Sequence, residues 1–284
     1  MAMKNKNFAA FILTHGRPHH ILTLSVLERL GYTGKWYLVV DDEDETQDIY
    51  KELYGDNVVV FSKADIASRV DTIDNRQDHG GVVYARNAIF DISESLGHEY
   101  FIMLDDDYWS FRYIFDLNRL WKYSPVRNLD KIFDAVLGFY KSIPATSIAF
   151  TQSGEHIGGG GGGLGKAIKT KRKVMNTFFC STKRRFTFSG RTNEDVNAYI
   201  MYGAKGHVFL TVNNIRIAQL LTQSNPGGLT DIYLNDGTYV KSMYSVICCP
   251  SFVTVSPMGP VHPRLHHRIH WNNAVPKILS EEHA

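Results

Sequence analysis

The chain has 284 residues, 44% hydrophobic and 12% aromatic, enough for a sizeable core in one large domain. Its net charge of +2 gives no global field that would announce a nucleic-acid partner, and no stretch reaches the about 18 apolar residues of a membrane span, so a soluble protein is expected. Cys180, Cys248 and Cys249 leave no Cys-x-x-Cys pair for zinc and fit a reducing, cytoplasmic setting.

Lys4 and Lys6 precede only a short apolar patch, Phe8 to Leu13, which is neither a signal peptide nor an anchor. That patch reads as a first buried strand, with Thr14-His15-Gly16-Arg17-Pro18 as its loop. Pro18 suits the first turn of a helix, and the apolar spacing from His20 to Leu30 continues it to Gly31. Trp36 to Val40 is a second strand ending in Asp41-Asp42, within an acidic run of six acids and no base from 41 to 48. A helix over Thr46 to Tyr54, a strand over Asn57 to Phe61 and a helix over residues 82 to 96, stopped at Gly97, follow. Alternating strands and helices predict parallel crossover units in an open α/β sheet.

The apolar run Tyr100-Phe101-Ile102-Met103-Leu104 then ends in Asp105-Asp106-Asp107. Three adjacent carboxylates repel one another and resist burial. A divalent cation carrying a polyphosphate relieves both problems, and open sheets bind ligands beyond the carboxyl ends of their strands. An acidic turn, or a cap on a following helix, is the alternative.

The second half is less regular. A helix is predicted over Asn128 to Tyr140, a strand over Thr146 to Thr151, a helix over Asn193 to Tyr202 capped by Thr192 or Asn193, and a strand over His207 to Thr211. Gly158 to Gly163 are six consecutive glycines, which read as a loop. Residues 166 to 191 carry nine Lys or Arg and no acid, interleaved with Phe178, Phe179, Phe186 and Phe188. Residues 222 to 238, with Asn235-Asp236-Gly237, read as turns. His262, His266 and His270 are spaced by four, which would align them on one helical face, although Pro263 interrupts a helix there.

Residues 81 to 107 resemble the stretch preceding the metal site in nucleotide-diphospho-sugar glycosyltransferases of the GT-A fold, especially family 2. The shared elements are a Gly, then Ala85-Arg86-Asn87, Gly97 with an aromatic, and the strand into the aspartates. Phe11 to Pro18 and Val39 to Asp42 resemble that fold's first two strand ends. The resemblance implies a Rossmann-like, mostly parallel open sheet in a single domain spanning 1–284. Residues 1–110 would bind the nucleotide sugar. Residues 111–284 would form the acceptor half, with a Gly-rich basic loop at 154–191 and a His-rich tail at 260–284.

Asp105 and Asp107 match the two aspartates of the DxD motif and would hold Mn²⁺ or Mg²⁺ with a UDP-sugar. Asp106 would touch sugar hydroxyls, Asp41 or Asp42 the uracil ring, and Thr14 and Arg17 the nucleotide. Arg86 would meet the diphosphate, or else pair at the surface with Asp91 or Glu94. Glu194 and Asp195 match the acceptor-side pair of family 2, with Asp195 as general base, or else simply favour a helix N-terminus. A late histidine, His266 or His270, would be an extra metal ligand. The family's Gln-x-x-Arg-Trp segment is absent.

An Asp-Asp-Asp-Tyr site, late histidines and a basic loop are similar to the phage TET-associated glycosyltransferases. That similarity implies a 5-hydroxymethyl pyrimidine in DNA as acceptor, with the phenylalanines free for stacking. Alternatives are a cell-surface saccharide or protein acceptor, a nucleotidyltransferase, or a non-catalytic nucleic-acid-binding protein on the same scaffold. Oligomeric state is not legible.

Overall fold

The computed structural model describes residues 2–76, 78–117, 120–152, 168–169, 176–220, 229–258 and 264–281. The polyglycine run, Lys166, Lys171, Arg172, Lys173 and His262 lie outside the described residues, and the Lys169 side chain is not described. The first half alternates as β1 (Phe8–Leu13), α1 (Leu22–Arg29), β2 (Lys35–Asp41), α2 (Gln47–Tyr54), β3 (Val58–Phe61), α3 (Lys63–Ala67), α4 (Val83–Ser95) and β4 (Tyr100–Asp105). All pairings among these four strands are parallel, in the order β3-β2-β1-β4. The chain winds outward from β1 to β3, then crosses back through α4 to place β4 on the other side of β1. This creates a switch point between β1 and β4, where Leu13 and Asp105 are register partners.

The second half adds β5 (Tyr108–Leu117), β6 (Leu120–Pro125), α5 (Leu129–Ser142), β7 (Ala145–Gln152), β8 (Ile168–Lys169), β9 (Phe178–Ser181), α6 (Glu194–Ala204) and β10 (Val208–Gln219). The sheet continues β4-β9-β7-β10-β5-β6, with β8 against β10. β9 lies antiparallel between β4 and β7, whereas β7 and β10 are parallel. The end of β10 pairs with the start of β5, Gln219 opposite Tyr108, and Leu220 N–H donates to Asp107 O at 3.3 Å. The sheet's far half therefore returns to the aspartates. α7 (Leu229–Cys248), the hairpin β11 (Val253–Met258) and β12 (Arg264–Ile269), and α8 (Trp271–Ala274) complete the chain.

Every residue of β1 is buried. Side chains alternate between sheet faces, so Phe8, Ala10 and Ile12 join one core with residues of α1 and α5, while Ala9, Phe11 and Leu13 join another with α4 and α6. Burial on both faces is why these strands read as unbroken apolar runs.

Three expectations change. Pro18 is not helical: Arg17 to His20 form a turn, closed by His20 N–H to Arg17 O at 3.0 Å, and α1 starts later. Asn235-Asp236-Gly237 lies inside α7, because packing against β11, β12 and α6 overrides turn propensity. The histidine tail is a strand, not a helix, because it pairs with β11 through six register partners.

α5 opens on a side-chain cap, with Asn128 Oδ1 accepting from Lys131 N–H at 2.9 Å. Asn128→Ala should lower the unfolding free energy by about 1 kcal/mol. Chemical denaturation measures this, and an unchanged midpoint rejects the cap's role.

Candidate active site at the carboxyl rim of β1 and β4

The aspartate triplet is a tight turn between β4 and β5. Thr23, in the first turn of α1, pins it: its hydroxyl donates to Asp105 O at 2.6 Å and accepts from Tyr108 N–H at 2.9 Å. Its own N–H donates to Asp106 O at 3.1 Å. The three carboxyls then take separate directions.

Asp106 turns inward and is only 3% exposed. It accepts from the Thr14 hydroxyl at 2.8 Å and pairs with Arg17 at 3.2 Å. Tyr50 OH meets Thr14 Oγ1 at 2.8 Å and accepts from Arg17 N–H at 2.9 Å. Burial pushes the Asp106 carboxyl up to about 6, against the opposing pull of Arg17 and Thr14. Asp106 thus latches the first loop to the triplet. Thr14 and Arg17, expected at the nucleotide, spend these side-chain contacts on that latch.

Asp105 is paired from the side by Arg86. The guanidinium, carried on α4 and buried to 2%, donates from Nη2 to Asp105 Oδ1 at 3.1 Å and from Nε to Glu194 Oε1 at 2.9 Å. Nη1 donates to Asn176 O at 3.3 Å, and the rings of Phe178 and Phe188 lie 5.3 and 5.8 Å from its centre. Arg86 is therefore neither a surface residue paired with Asp91 or Glu94 nor a free diphosphate ligand. Asp91 and Glu94 are instead held by Arg69 and Arg185. Burial raises the Asp105 carboxyl, with Arg86 opposing, and pushes Glu194 up to about 7 for the same reason.

Asp107 is the uncompensated member. It is half-buried, and its Oδ1 is buried with no hydrogen-bond partner. Burial, then the charges of Asp105 and Asp106, push it up to about 7. An orphaned carboxylate oxygen beside a second carboxylate suits a divalent cation.

Sequence reasoning missed the amides that extend this rim. Asn176 Nδ2 donates to Asp105 Oδ2, Gln152 Nε2 donates to Asn176 Oδ1 and Gln219 Oε1, and Asn176 also reaches Gln219 at 3.4 Å. Gln152 and Gln219 end β7 and β10, and Asn176 precedes β9. Each is unremarkable in sequence, and only strand order brings them together.

At the end of β2, Asp41 is enclosed. It pairs with His15 at 2.8 Å and Lys63 at 2.9 Å, and although burial raises its carboxyl, these two partners outweigh burial and lower it. The hydrogen bond to Asp41 raises His15. Asp42 is exposed; its carboxyl accepts Lys63 N–H at 2.8 Å and its carbonyl accepts Gln47 Nε2 at 2.9 Å. Asp44, within the acidic run, is only 2% exposed and accepts from Gly16 N–H at 2.7 Å and from Thr46.

Glu194 and Asp195 open α6, both buried, and Asp195 Oδ1 accepts Val196 N–H at 2.8 Å. The preceding Asn193 is left-handed, φ +56°, which Asn tolerates better than most residues. Its Nδ2 donates to Lys241 O at 2.8 Å and approaches Ser245 Oγ at 3.2 Å and His267 Nδ1 at 3.3 Å. The tail histidine brought against this helix start is therefore His267. His266 stacks on His267, with ring centres 4.2 Å apart, and exposed His270 meets Thr254 at 3.3 Å. Four residues of strand advance about 13 Å, so His266 and His270 do not share one ion. Among the described residues no group of three or more His, Cys, Asp or Glu side chains is gathered for a metal.

The described part of the basic run is structural. Arg184 donates to three backbone carbonyls, Arg185 pairs with Asp91 and Glu94, Lys183 with Glu99, and Arg191 with Asp74 and Asp78. Phe178, Phe179, Phe186 and Phe188 are at most 4% exposed, so they are core residues and not stacking platforms. β9 runs mid-sheet, which is why its phenylalanines are enclosed.

No curated protein sequence matches the chain. Among solved structures, glucosyl-3-phosphoglycerate synthase from Mycobacterium tuberculosis, with Mg²⁺ and uridine diphosphate, is similar at 9% identity, TM-score 0.49, over 93% of this chain and 88% of that one. The S. aureus TarS 1–349 structure is similar at 11% identity, TM-score 0.42, over 84% and 65%. The sequence matches the TET-Associated Glycosyltransferase family over residues 8–228. That match spans most of the chain, which therefore belongs to the TET-associated glycosyltransferases.

Proposed function

We propose that this glycosyltransferase moves a sugar from a UDP-sugar to the hydroxyl of a 5-hydroxymethyl pyrimidine in DNA, with a divalent cation at Asp105 and Asp107. The observation that carries the donor side is Asp107, a partly buried carboxyl with an unpartnered oxygen beside Asp105 at the switch point. The acceptor rests on the family. Mg²⁺ and Mn²⁺ suit a site with one or two protein carboxylates completed by phosphates and water, which is what these two residues offer. Such a cation, when bound, neutralises the diphosphate as the nucleotide departs.

The chain's own groups do the rest. Exposed Asp42 offers an acceptor oxygen to the base ring, and the latched Thr14–Arg17 loop lines the nucleotide side. Glu194, tied to Arg86, positions the first turn of α6. Asp195 on that turn takes the proton from the acceptor hydroxyl as its oxygen attacks the anomeric carbon. No helix among the described residues is long and apolar enough to cross a membrane, and the three cysteines are free, in keeping with a cytoplasmic reaction.

Asp107→Asn should abolish Mn²⁺ binding and transfer without loss of folding. Asp195→Asn should leave Mn²⁺–UDP binding intact and slow transfer at least ~10²-fold. Calorimetric titration and initial rates measure both, and a fully active variant removes that residue from its role.

Asp106, Asp107 and Glu194 sit near 6, 7 and 7, above the ordinary carboxylate range. The folded state therefore holds more protons than the unfolded one between about pH 4 and 7, so stability declines as pH rises through that window. In EDTA the thermal midpoint should be lower at pH 7.5 than at pH 5.5, and Mn²⁺ should raise it more at pH 7.5. A midpoint that rises with pH in EDTA contradicts the charge-excess reading.

Mass spectrometry of hydroxymethylated DNA, incubated with Mn²⁺ and a panel of nucleotide sugars, should show a hexose mass gain. Donor turnover with no gain on DNA would leave the transferase and reject the DNA acceptor.

A further inference from the structure

The surface of β5, β6 and the end of β10 carries charge that the active site does not use. Arg112 and Arg216 are directly opposed register partners on antiparallel β5 and β10. Like charges in that position repel and destabilise a sheet. Among the described residues neither arginine makes an ion pair. Arg112 donates only to Ser110 Oγ, at 3.2 Å, and Arg216 Nε is buried with no hydrogen-bond partner. Each guanidinium instead lies against an exposed ring: Arg112 over Trp109 at 5.3 Å, and Arg216 over Tyr123 at 5.2 Å. Trp109 and Tyr123 are 42% and 43% exposed. A cavity of about 340 Å³ is lined by Arg29, Ser110, Arg112, Tyr123 and Ser124 among others.

Paired, uncompensated guanidiniums call for an anion, and exposed rings beside them call for flat apolar partners. A stretch of unpaired DNA supplies both, with phosphates for the arginines and base faces for Trp109 and Tyr123. An acidic protein would satisfy the arginines and leave the rings in water. The patch also runs into the site. β5 begins at Tyr108, directly after Asp107, and Gln219 of β10 belongs to the amide chain that reaches Asp105. Arg112 is about 13 Å along the strand from Tyr108, a few nucleotides' length.

Resting on the DNA reading of the acceptor, we propose that the Arg112–Arg216 pair with Trp109 and Tyr123 is the track that grips the DNA strand flanking the target base. It replaces the buried phenylalanines and the pinned Lys183–Arg191 segment as the stacking and phosphate-binding surface.

The test is fluorescence anisotropy of the full chain with a labelled single-stranded oligonucleotide containing one 5-hydroxymethylcytosine, measured across a salt series. Arg112→Gln should weaken binding about tenfold and reduce the salt slope by about 1. Tyr123→Ala should weaken binding as much while leaving the slope unchanged, a split that general unfolding does not produce. Mn²⁺-dependent UDP binding, by calorimetry, reports that each variant is folded. Wild-type binding that survives both substitutions overturns this track and leaves the DNA acceptor standing. A wild-type chain that binds no DNA overturns the acceptor reading and the track together, and directs the patch to a protein partner.

Discussion

A single buried cation organises this site. Arg86 enters from α4 beneath the sheet rim and binds one carboxyl from the end of β4 and one from the start of α6, 108 residues further along the chain. A guanidinium suits the task because its fork serves two anions at once and never loses its proton inside a protein. Removing it would strand two buried carboxyls, a loss on the order of 3–5 kcal/mol. The end of β4 and the start of α6 are thus held in one register by one residue. Arg17 supplies the other positive charge at the triplet. Against these two stand Asp105, Asp106, Asp107, Glu194 and Asp195, so acidic groups outnumber basic ones at the site.

The first half of the fold was legible because parallel strands buried on both faces leave unbroken apolar runs, and Gly97 marks the end of α4 with a φ of +77°. In the second half α5, β7, α6 and the start of β10 were legible too, whereas β5, β6, β9 and α7 were not. The Tyr108–Leu117 and Leu120–Pro125 strands mix exposed and buried aromatics without a clean period of two. Arg86 illustrates the limit for sites. Its neighbours on the helix, Asp91 and Glu94, were the nearest partners in sequence, but they face the surface arginines, and its true partners come from other elements. Helical spacing of the histidines likewise carried no information once the segment paired as a strand.

The segment before α6 has its own fastening. Arg191, fully buried, grips Asp74 at 2.7 Å and Asp78 at 2.8 Å in the loop that precedes α4. The neighbouring Gly190 has φ +93°, and a Cβ there would lie 2.5 Å from Asn197 Nδ2, so only glycine fits. Asn193 then ties the same segment to α7 and to His267 of β12. The start of α6 is consequently fastened to the loop before α4, to α7 and to β12. Among the described residues of the basic run, Arg191 is the bolt of this arrangement.

The division of labour among the three aspartates follows from the turn they occupy. Two residues between strands leave no room for the side chains to share a direction, and Thr23 fixes the backbone so that the middle one points inward. Asp106 therefore meets Thr14 and Arg17 and is consumed by the fold. Asp105 faces along the rim to Arg86 and the amides, keeping its charge balanced whether or not a ligand is present. Asp107 alone has an oxygen that nothing in the described chain satisfies. The different environments of the first, middle and third aspartates are thus the result of geometry. One carboxyl is held by Arg86 and the amides, one keeps an unpartnered oxygen, and the one between them anchors the loop.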